Sequence, residues 1–125
     1  MSKQLMEVVL PRLARRLYGQ LRRYRAGELN DSQFTEAFEE LLQRQHSWLA
    51  SKGVPDARAA IAIHGAVLVL SGPGLRAEAS QSHLPLEVIE YRAVRAAATD
   101  IARNYEEDES KVIHHISAIV ARYAD

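Results

Sequence analysis

Apolar residues recur along this chain at the three-and-four spacing of amphipathic helices, and the pattern predicts five helical segments. In the first, over about residues 3–26, Met6, Val9, Leu10, Leu13, Leu17, Leu21 and Tyr24 fall on one arc. Arg12, Arg15, Arg16, Arg22 and Arg23 fall on the opposite side. Pro11 lacks an amide donor, which predicts a kink or a new start at that point. Gly27 supplies a stop, and Asn30, Asp31 and Ser32 offer a fresh N-cap. The second segment, about residues 32–51, sets Phe34, Phe38, Leu41, Trp48 and Leu49 on its apolar face. Glu36, Glu39, Glu40 and Arg44 lie on its outer face.

The third segment, residues 56–71, departs from this pattern. Ile61 and Leu68 point one way, Ile63 and Leu70 another, and Val69 a third. A helix that is apolar all round belongs at the centre of a bundle. Val67 to Leu70 alone would suit a strand, but the chain offers no second strand to pair with it. Ser71-Gly72-Pro73 predicts the stop, and residues 74–84 read as a loop with one turn at Leu75 to Ala79. Pro85 opens a fourth segment that reaches about Tyr105. Its core face collects Leu86, Tyr91, Val94, Ala97, Ala98, Ile101 and Tyr105. The last helix buries Val112, Ile113, Ile116, Ile119, Val120 and Tyr123. The predicted fold class is all-α, a single-domain bundle of about five helices around the central apolar helix 56–71.

Composition narrows the setting. A chain of 125 residues suits one domain with its own core. The absence of cysteine excludes disulfides and thiolate metal sites, and a reducing cytoplasm is the expected compartment. The first ten residues lack the pattern of a secretory signal. Ala57 to Leu70 spans 14 apolar-rich residues, short of the roughly 20 that cross a bilayer. Net charge is zero but unevenly placed: residues 1–27 hold seven basic groups against one acidic, +6, and the remainder carries −6. Such a split predicts pairing between copies, contact with a protein partner, or capture of an anionic one.

Candidate chemistry is sparse. Neither Glu-x-x-His nor His-x-x-x-His occurs around His46, His64, His83, His114 or His115, and adjacent His114 and His115 diverge on a helix, so neither metal nor cofactor is expected. His64 lies among Ala60, Ile61, Val67 and Leu68, which predicts a neutral core imidazole bonded to a carbonyl or a tyrosine. The rival reading makes it a general base or pH switch in a pocket. Glu87 and Glu90 point to the core side of the fourth helix, where paired carboxylates can do acid–base work. Their place in its first turn equally suits the helix dipole. Ser71 to Gly74 is no phosphate loop on this reading, because its glycines follow a helix instead of opening one. No nucleophile-elbow motif is present, and nothing marks the chain as an enzyme.

The leading expectation is therefore a small helical protein that works through protein–protein contacts and self-associates. The first alternative is nucleic-acid binding through Arg12, Arg15, Arg16, Arg22 and Arg23. The second is a ligand-binding or metal-dependent bundle that brings His64 together with Glu87 and Glu90.

Overall fold

The computed structural model describes residues 3–124. Six α-helices follow one another in chain order: α1 (Lys3–Arg25), α2 (Asp31–Ser51), α3 (Asp56–Leu70), α4 (Gly72–Ser82), α5 (Leu86–Tyr105) and α6 (Glu109–Tyr123). No strand occurs among the described residues. No single helix there is long and apolar enough to cross a membrane, and α3 with α4 reaches that length only across a 59° bend.

Local chemistry sets most boundaries. Asn30 caps α2 in a reciprocal capping box: its side chain accepts from the Gln33 amide at 2.8 Å, and the Gln33 side chain accepts from the Asn30 amide at 2.9 Å. Asp108 caps α6 by accepting from the Ser110 amide at 2.9 Å. Gly53, at φ +83°, turns the chain out of α2 in the left-handed region that glycine enters without steric cost. α1 continues through Pro11, and its apolar arc buries Met6, Val9, Leu13 and Leu17. Tyr24 departs from that arc. It is exposed, packs on Phe34 with centroids 4.8 Å apart, and donates its hydroxyl to Asp31.

Two expectations need correction. Residues 74–84 are mainly helix, not loop: α4 begins at Gly72 and carries Pro73 in its first turn, where the missing amide costs nothing. The Gly-Pro-Gly turn thus both ends α3 and opens α4. Its polar sequence gives no apolar stripe, since Ala79 is the one buried residue of the helix, and periodicity could not reveal it. On α5 the buried set is Ile89, Val94, Ala98 and Ile101, whereas Tyr91 is 52% exposed. α4 packs on α5, a neighbour the sequence pattern did not supply.

α3 touches each of the other five helices, which is why it is apolar all round. Ala59, Ala62 and Ala66 are fully enclosed. α6 crosses so closely that a Cβ added at Gly65 would lie 2.8 Å from Cδ1 and 2.9 Å from Cγ2 of Ile119. Ile119 is itself buried and branched at Cβ, so it has little room to yield.

This contact sets up an opposed pair of mutations. Alanine favours a helix over glycine by about 1 kcal/mol, but overpacking a core costs about 1–3 kcal/mol. Gly65→Ala should therefore show a net loss in urea unfolding. Gly19→Ala on α1, where nothing lies within 4 Å of the new methyl, should gain about 0.5–1 kcal/mol. Equal gains at both sites would disprove the close crossing.

Candidate functional site

α2 and α5 both pack on α3 while their backbones stay apart from each other. The gap between them is a cleft of about 430 Å³ floored by α3. One face of each helix lines it. α2 supplies Leu42, Gln43, His46 and Ser47; α3 supplies Ala60, Ile63 and His64; α5 supplies Asp100, Ile101, Asn104 and Tyr105. The spacings of four within each set are those of neighbours on one helical face. Apolar residues form part of the wall, and polar groups converge from all three helices.

His64 is half-buried against this cleft. Neither ring nitrogen hydrogen-bonds to another group among the described residues, so the expected bond to a carbonyl or tyrosine is not made. Burial pushes its pKa below the ordinary histidine value; the Asp100 carboxylate pulls the other way and His46 adds to the lowering. Burial is the largest of the three influences, so the imidazole is held toward its neutral form, able to offer one donor and one acceptor. His46 bridges the mouth. Its Nε2 lies 3.0 Å from Oδ1 of Asp56 at the start of α3, and its ring stacks on Tyr105 of α5 with centroids 5.9 Å apart.

The other candidates lie elsewhere. Glu87 and Glu90 share a second cleft, between α5 and α6, with Tyr91, Val94, Ser117 and Val120. Asp100 stands ten or more residues further along α5, roughly 15 Å at the helical rise. The triad of His64 with both glutamates is therefore not assembled. His83 is the left-handed C-cap of α4, and His114 and His115 are exposed on α6. No group of three or more His, Asp or Glu side chains among the described residues is arranged to hold a metal ion.

The arginines of α1 divide. Arg12 is half-buried, its guanidinium 4.0 Å from the Trp48 ring centroid and its Nε donating to Oε1 of buried Gln45 at 3.0 Å. It is a structural contact between α1 and α2, not part of an outward face. Arg15, Arg16 and Arg22 are exposed, and Arg23 pairs with Glu28 at 3.5 Å. Sequence reasoning missed Asp100, Asn104, Tyr105 and His46 as partners of His64. Their signal was polar residues four apart beside an apolar stripe, which many solvated helix faces share.

The depressed His64 pKa fixes the sign of a pH effect. The unfolded chain takes up a proton near pH 6.5, before the folded one does. Stability from this residue is thus complete above about pH 6.5 and falls as pH drops toward the folded pKa. Between about pH 7.5 and 5.5, the wild type should lose more stability than His64→Gln. Parallel curves for the two proteins would show that burial does not govern this imidazole.

Comparison of the chain with protein-family models, with curated proteins and with solved structures finds no match to any of them.

Proposed function

We propose that the chain is a binding module whose site is the cleft between α2, α3 and α5, taking a small polar molecule. The observation that carries this reading is His64: a half-buried imidazole facing the cleft, with no hydrogen-bond partner among the described residues. A neutral imidazole at the wall of a cleft presents one donor and one acceptor that are free for a guest to bond. Convergent polar groups beside a perturbed histidine in a partly apolar cleft are what small-molecule sites require. Asp100 and Asn104 are within the same lining to orient the guest, and Tyr105 offers a flat wall. A cytoplasmic setting belongs to this reading, on the cysteine-free composition. A fragment screen by NMR should produce shifts clustered on Gln43, His46, His64 and Asn104. His64→Ala and Asp100→Asn should each weaken the best hits about tenfold. Hits that ignore these substitutions would remove the reading.

Protein–protein contact, with a second copy as the partner, is a second reading with its own support. α1 and α6 also pack on α3 with their backbones apart. Leu10, Pro11, Ala14, Tyr18, Val69 and Leu70 line most of a trough of about 400 Å³ there, with Arg76 and Tyr123 at its edge, and Tyr18 is 50% exposed. Charge complementarity names the occupant, because residues 28–125 carry −6 and residues 1–27 carry +6. Light scattering should give a dimer at low salt that weakens as salt is added; Tyr18→Glu should abolish it. A monomer at every salt concentration would eliminate this reading.

A further inference from the structure

We propose that the groove between α1 and α2 is a binding site for a phosphate-type oxyanion. Arg15, Arg16 and Arg23 of α1 face Arg44 of α2 across a space of about 390 Å³. Arg15, Gly19 and Arg23 form one row at i, i+4 and i+8, with neighbouring Cβ positions about 5–6 Å apart. Gly19 therefore leaves a gap in the middle of the row, between two guanidinium groups.

The gap has no packing cause. Nothing lies within 4 Å of a Cβ built at Gly19, so no neighbour requires the missing side chain. A glycine inside a helix costs stability relative to alanine, and at Gly65 that cost is explained by Ile119. At Gly19 the explanation offered is room for a ligand. Gln20 lines the same groove.

The charge count favours an anion. Arg23 is met by Glu28, and Arg44 by Glu40, which also lines the groove. Arg15 and Arg16 have no acidic partner among the described residues, which leaves two positive charges uncompensated. Guanidinium forks approaching from two helices suit a tetrahedral oxyanion, which accepts from several directions at once. Arg12, held by Gln45 and Trp48, is outside the site, and Arg44 is a member that the arginine face of α1 alone did not indicate.

The test is calorimetric titration of the full chain at low ionic strength with two probes, inorganic pyrophosphate and a single-stranded oligonucleotide. Saturable binding that weakens with salt is expected. Arg15→Gln and Arg44→Gln should each weaken it about tenfold, while Arg92→Gln on α5 removes the same charge and should leave it unchanged. Gly19→Leu keeps every charge, fills the gap, suits a helix and should weaken binding about tenfold or more. Comparable affinity for both probes assigns the site to free phosphorylated molecules. Much tighter oligonucleotide binding, still lost in Gly19→Leu, assigns it to a nucleic-acid backbone. No binding of either probe overturns the proposal. So does equal weakening by Arg15→Gln and Arg92→Gln with no effect of Gly19→Leu, which is diffuse attraction.

Discussion

The bundle depends on how closely α6 can approach α3. Ala59, Ala62, Gly65 and Ala66 place small residues three or four apart, and all are buried. Helix separation is set by the side chains at the crossing, and glycine and alanine permit the shortest. Ile119 seats directly over Gly65, and Val112, Ile116 and Val120 extend the contact surface of α6. With α6 drawn in, the remaining helices pack around α3 and bury most of its surface. This arrangement explains why the most apolar segment of the chain is a core helix with one compact seam.

A ring around one helix also determines where space remains. Pairs that share α3 while their own backbones stay apart, α2 with α5 and α1 with α6, leave troughs above it. The first gathers polar side chains from all three of its helices, and the second has a larger apolar share with Arg76 and Tyr123 at its edge. Polar groups beside apolar packing carry a desolvation cost, and the lowered pKa of His64 records it. The cleft is therefore a consequence of the packing, while its chemistry depends on which side chains the three helices turn toward it.

Much of the fold was legible in the pattern, and the reasons are particular. α1, α2, α3 and α6 each carry either a sustained apolar stripe or a continuous apolar run, and Asn30 with Gln33 writes a helix start in four residues. α4 is illegible because it has almost no buried face, and on α5 the pattern selects Tyr91 where the structure buries Ile89. The burial that lowers the His64 pKa is legible in its apolar neighbours, but its bonding is not, because whether a partner reaches it is settled by α2 and α5. The joining of Glu87 and Glu90 with His64 failed for a related reason. A shared orientation on one helix says nothing about separation along its axis, and roughly 15 Å of α5 lies between the two sets.

The charge of α1 shows how little a segment's total says about its surface. Gln45 is 3% exposed on α2 and needs a partner for its oxygen; Arg12 supplies it and lays its guanidinium over Trp48. One arginine of the basic face is thereby committed to holding two helices together. Glu28 and Glu40 balance Arg23 and Arg44, so the local field comes chiefly from Arg15 and Arg16. Those two lie beside Gly19, the position where α1 lacks a side chain without any steric need. A chain of zero net charge can in this way present a concentrated positive groove, because neutrality is a sum over the whole molecule, whereas screening confines an anion's attraction to charges within about a Debye length, about 8–10 Å in ordinary salt.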